Sequence, residues 1–116
     1  MPVESTDDVG QRPAAATGGY GPKMHLALWP QLAQSWSDVA AITRHADATG
    51  WHGVYVADHF MPNAPEPKDG DTFECWTAMA GLAAITERVR IGALVSGNTY
   101  RHPAVLAKQA LSLIHI

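Results

Sequence analysis

The chain has 116 residues, with 8 Lys and Arg against 11 Asp and Glu for a net charge of -3, and 47% of it is hydrophobic. Those proportions describe one globular domain or a piece of one. Charged residues make up 16% of the chain and do not cluster, so the basic stripe needed for a nucleic acid or an anionic membrane surface is missing and neither is expected as a partner. The single cysteine, Cys75, allows no internal disulfide and no cysteine metal cluster, which points to a reducing, cytoplasmic setting. No stretch approaches the roughly 20 apolar residues of a bilayer span, and the first 22 residues lack the apolar run of a signal peptide.

Residues 1–22 are rich in Gly, Pro, Ala and small polar types without an apolar period, which predicts a disordered leader before a domain over 23–116. From Met24 to Pro30 a short apolar run closed by proline predicts a strand. Ser35 followed by Asp38 forms a helix-start pattern, after which Trp36, Val39, Ala40, Thr43 and Ala46 share one helical face and Gly50 supplies a stop. Gly50 to Ala57 reads as a second strand, apolar on both faces, ending in Asp58-His59-Phe60.

The proline-bearing loop from Met61 to Gly70 leads to Asp71-Thr72-Phe73-Glu74, a second helix-start pattern. Trp76, Met79, Ala80, Ala83 and Ala84 form the expected stripe of a second helix ending near Thr86 to Arg88. Val89 to Val95 predicts a third strand, Ser96 to Arg101 a loop, and His102-Pro103 the start of a third helix, with proline at the first helical position. Alternating strands and helices at this spacing predict an α/β fold with a parallel sheet. Three such units leave sheet edges unpaired, so the expectation is the N-terminal three βα units of an incomplete TIM (β/α)8 barrel, which takes about 250 residues when whole.

In such folds chemistry sits in the loops at the carboxyl ends of the strands. That rule selects Trp29-Pro30, Asp58-His59-Phe60 and Ser96-Gly97-Asn98-Thr99. Asp58-His59 is the most chemically loaded, combining an acceptor, a donor and a side-chain type that titrates near neutral pH; the competing reading is a pair that merely caps the next turn. His25 and His45 read as strand and helix-surface residues, and His102 as a helix cap. His52 and His59 alternate in strand phase, which argues against a shared metal, and Asp69, Asp71 and Glu74 lack the calcium-loop spacing, so no metal site is expected. Trp36, Trp51, Trp76 and Met79 read as core filling.

Four blocks in order, Gly50 to Phe60, Glu74 to Thr77, Thr86 to Gly92 and Asn98 to Lys108, resemble the luciferase-like monooxygenase superfamily, most nearly its branch using the deazaflavin coenzyme F420. The likeness covers about residues 23 to 113. It implies a TIM barrel that binds F420, with FMN as the alternative, and passes hydride to or from a small organic substrate. It also implies a non-proline cis peptide behind the cofactor ring, which by position falls at Ala93-Leu94. The segment from Ala93 and Leu94 through Ser96 to Asn98, together with Asp58, would lie against the cofactor, and His59 would serve as catalytic acid or base.

Two departures qualify the likeness. Met61-Pro62-Asn63 stands where some F420-dependent dehydrogenases carry tryptophan, so an alcohol or sugar-phosphate substrate is not implied, and Leu113-Ile114-His115-Ile116 stands where the family reads Leu-Asp-His before a Ser-Gly-Gly turn. On this reading the 116 residues are inactive alone, the partner is a small molecule, and a homodimer is left open for the full-length protein. The rivals are a non-catalytic module that pairs through its open sheet edge and an unrelated open α/β domain of flavodoxin type.

Overall fold

The computed structural model describes residues 23–62 and 71–116. The leader and the middle of the proline loop, including Asn63 and Asp69, lie outside the described residues. In chain order the elements are β1 (Ala27–Leu28), α1 (Trp36–Thr49), β2 (Gly53–Val56), α2 (Cys75–Ala83), β3 (Arg90–Ala93) and α3 (Pro103–Leu113). The strands form one parallel sheet in the order β1-β2-β3, with Ala27 beside Gly53 and Gly53 beside Arg90. A flavodoxin-type sheet reverses its strand order at a switch point; this sheet has no reversal.

Local chemistry explains the helix ends. Ser35 Oγ accepts the Asp38 N–H at 3.2 Å to start α1, and Gly50 ends it at φ 89°, a conformation that costs glycine nothing. The Trp51 N–H then reaches back to the Ala46 carbonyl at 3.2 Å. At α3, His102 Nδ1 accepts the Ala104 N–H at 3.2 Å, ahead of Pro103, so the cap expected of His102 is present. In α2 the N-cap is Glu74, whose carboxylate accepts the Thr77 N–H at 2.7 Å. That start lies three residues beyond Asp71, because the side chain aimed at the free N–H groups belongs to Glu74.

Val56, Ile91 and Ala93 pack with Val39 of α1, with Cys75, Ala78, Met79 and Leu82 of α2, and with Leu113 of α3. Val54 packs with Ala46, Val89 and Leu28. All three helices therefore cover the same face of the sheet. Full burial of aliphatic side chains such as Leu82, Val39 and Val54 contributes about 1.5–3 kcal/mol each. The buried face of α2 is Cys75, Ala78, Met79 and Leu82; of the expected stripe, Met79 lies on this face while Trp76, Ala80, Ala83 and Ala84 flank it. Trp76, partly buried, packs against the edge of this core on the side of α3, because the rotation that seats Cys75 against Val56 and Leu82 carries the indole to the helix flank.

Trp36 is part-exposed and meets the edge of Phe73. The strands are shorter than the apolar runs that announce them, since only their central residues have a ladder partner. On the other face of the sheet the Tyr55 ring lies across Gly53 and Gly92, and no helix among the described residues covers it.

Candidate functional site

The tails of β2 and β3 meet at the carboxyl end of the sheet. The Leu94 N–H donates to the Val56 carbonyl at 2.8 Å and the Asp58 N–H to the Val95 carbonyl at 3.4 Å, which brings Asp58-His59 alongside Ser96-Gly97. The Leu94–Val95 bond is a cis peptide without proline. It lies one residue beyond the Ala93-Leu94 bond expected from the sequence, because the Leu94 N–H still belongs to the ladder and the chain turns only after it.

Asp58 is 2% exposed and its two oxygens are fully engaged. Oδ2 accepts the Gly97 N–H at 2.9 Å, the Ser96 hydroxyl at 3.5 Å and Arg101 Nη1 at 2.5 Å, while Oδ1 accepts Arg101 Nη2 at 2.9 Å. This is a two-pronged guanidinium–carboxylate pair, the strongest geometry such groups adopt. Arg101 also donates to Glu74 at the head of α2, and Trp76 Nε1 donates to Ser96 Oγ at 3.1 Å. The three segments that meet here are thus joined by one polar network.

Burial raises the Asp58 carboxyl, but the Arg101 guanidinium and the Gly97 N–H outweigh it and hold the group below its ordinary 3.8. Glu74 behaves alike: burial raises it, and hydrogen bonds donated to it by Thr77 and by Arg101 bring it below 4.5. Arg101 is driven further toward its charged form by both carboxylates. Beneath the network the Cys75 thiol is pushed up to about 12 by burial and by the charges of Asp58 and Glu74; a thiol so placed is neutral and inert.

Above it, Phe60 stacks on Tyr100 with centroids 4.1 Å apart and planes 25° from parallel. Tyr100 lies over Gly97, where an added Cβ would sit 2.5 Å from the ring, so glycine is what lets the stack close down. His59 is half-buried beside Asp58, and Asn98 is exposed in the turn above. Trp29, Leu94 and Val95, at the ends of β1 and β3, are 47%, 50% and 70% exposed.

The structure therefore gathers Asp58, His59, Leu94, Ser96 and Asn98 at one end of the sheet, with Ala93 the last ladder residue of β3. Arg101 and Glu74, which tie these segments together, were not among the residues selected from sequence. The signal for them was a lone arginine one residue before the His102-Pro103 helix start, within reach of a strand-end carboxylate only once β2 and β3 are paired.

A family model described as luciferase-like monooxygenase matches residues 13–116. The chain belongs to the luciferase-like monooxygenase family. The match begins ten residues before Lys23, within the segment read as leader, and runs to the last residue. No curated protein matches the chain. As a luciferase-like monooxygenase the protein falls among oxidoreductases, whose family cofactors are flavin or F420. No helix among the described residues is long and apolar enough to cross a membrane.

Proposed function

We propose that this chain forms the first three βα units of an F420-dependent luciferase-like oxidoreductase, a (β/α)8 barrel acting in the cytoplasm on a small organic substrate. The observation that carries the reading is the junction of Asp58 with Ser96 and Gly97, which sets Asp58-His59 beside the Ser96–Asn98 turn at the end of the sheet where α/β enzymes place their chemistry. A barrel is supported by the unreversed strand order and by helices confined to one face. Parallel sheets are covered on both faces, and further βα units would close over Tyr55.

The residues present fit a planar tricyclic ring, because the exposed apolar surfaces of Trp29, Leu94 and Val95 flank the strand ends. Ala93, Leu94, Ser96 and Asn98 would hold it. Asp58 would serve it indirectly, since its oxygens are spent on Arg101, Ser96 and Gly97 and so hold the Ser96–Asn98 backbone in place. Bound there, F420 supplies a ring carbon that takes up or releases hydride. His59 would take the proton that a substrate gives up as hydride leaves it, its ring nitrogen acting as the general base. Phe60 and Tyr100 screen the same end from water.

The test is equilibrium titration of the full-length protein with F420 and, separately, with FMN. Saturable F420 binding with FMN bound far more weakly supports the proposal. Tight FMN binding with none for F420 replaces it by a flavin monooxygenase on the same scaffold.

A further inference from the structure

At the opposite end of the sheet, the amino ends of the strands form a second cluster of chemistry. His25 and His52 lie with ring centroids 4.1 Å apart at 45°, and both line a cleft of about 390 Å³ together with Trp51, Arg88 and Arg90. The main chain builds it: the His52 N–H donates to the Leu26 carbonyl at 2.9 Å, and the His52 carbonyl accepts the Arg90 N–H at 3.2 Å. His52 thereby bridges the leads into β1 and β3.

Every ionisable side chain facing this cleft is basic. The negative groups nearby are already used, since Asp47 accepts three backbone N–H groups and the last carbonyls of α1 accept the Arg88 guanidinium. Arg90 and the two imidazoles have no carboxylate partner among the described residues. Partial burial, then His25, then Arg90 hold His52 below its ordinary 6.5, so charging it calls for a compensating anion. Three basic groups from separate segments around a concave site, with no internal counter-charge, are complementary to a compact double-charged oxyanion.

We infer that the cleft between His25, His52 and Arg90 binds a phosphate-class oxyanion, either inorganic phosphate or a soluble phosphomonoester. The site is separate from the strand-end junction of Asp58 and Ser96, and it does not depend on the oxidoreductase reading. Arg90 supplies the permanent charge, His25 adds a ring N–H donor, and His52 adds one that strengthens as it protonates. Binding and His52 protonation therefore favour each other.

The test follows the imidazole resonances of the protein by NMR while inorganic phosphate is added at constant ionic strength. The expected result is a saturable movement of the His25 and His52 signals, with His59 unmoved. Sulfate, double-charged throughout the range, should bind more tightly at pH 5.5 than at pH 8 and should raise the pKa of His52. Arg90→Gln should weaken phosphate on the order of tenfold; its exposed side chain has no partner to lose among the described residues, and His52→Gln gives a second variant with the same expected weakening. Glycerol 3-phosphate should compete with phosphate. Signals that drift without saturating, or that respond equally in Arg90→Gln, overturn the inference, as does binding to phosphatidic acid vesicles that soluble phosphate cannot displace.

Discussion

Asp47 and Arg88 each hold the other's main chain. The Asp47 carboxylate, on the last turn of α1, accepts the Arg88 N–H at 2.8 Å, and the Arg88 guanidinium donates to the Asp47 carbonyl. The same carboxylate takes the N–H groups of Glu87 and Val89 at 3.1 and 2.7 Å, and Arg88 also caps the Ala46 carbonyl. The end of α1 and the entry to β3 are thereby locked together before the sheet begins.

Replacing Asp47 by alanine strips an acceptor from three successive N–H groups, and one of them belongs to buried Val89. The expected outcome is a fall in Tm of roughly 5 °C, with hydrogen exchange at Glu87 to Val89 accelerated more than in β2. The Asp47→Asn variant, which keeps one acceptor oxygen, should lie between. Thermal melts followed by circular dichroism, with amide exchange by NMR, decide it.

Arg101→Ala leaves Asp58 buried without its ion-pair partner, a change that costs about 3–5 kcal/mol. Asp58 and Glu74 sit below 3.8 and 4.5 in the folded protein, so their contribution to stability is complete above those values and drains away as pH falls through the folded values. In the variant, burial acts on Asp58 with less opposition, and protonation relieves rather than harms it. The deficit against wild type should therefore be largest at pH 7 and shrink at pH 3. Urea midpoints at the two pH values measure it, and an equal deficit at both would show that lost packing, not charge, dominates.

Cys75 should resist thiol reagents in the native state. Its thiol is fully buried and pushed up to about 12, so thiolate at neutral pH is scarce and access requires opening of the core between α2 and β2. Labelling should proceed at the rate of unfolding and accelerate across the urea transition. Fast stoichiometric labelling without urea would refute this placement.

Replacing His59 by asparagine removes the proposed proton acceptor while leaving the Asp58 network intact. The expected effect on turnover is a loss of roughly 10²–10⁴-fold, with cofactor affinity little changed. A variant whose cofactor binding collapses along with turnover would assign His59 to binding instead. Pre-steady-state hydride transfer, measured beside a cofactor titration, separates the two.

Features governed by neighbours a few residues apart were readable in the chain of amino acids alone. Ser35, Gly50 and His102-Pro103 bound their helices through contacts within four residues, and the alternation of strand and helix follows from apolar runs between such signals. Asp58-His59 and Ser96 to Asn98 were legible as strand-end residues for the same reason, because topology alone sends loops of parallel strands to one end.

What those residues touch depended on the folded arrangement. Arg101 meets Asp58 across 43 positions and Asp47 meets Arg88 across 41, contacts that exist only because pairing of β2 with β3 brings the loops together. The centre of the buried face of α2 falls on Cys75, Ala78 and Leu82, with Trp76 packed at its edge, and the last ladder bond of Leu94 set where β3 stops. Local patterns specify which elements form; the pairing of distant backbone groups specifies which side chains become a site.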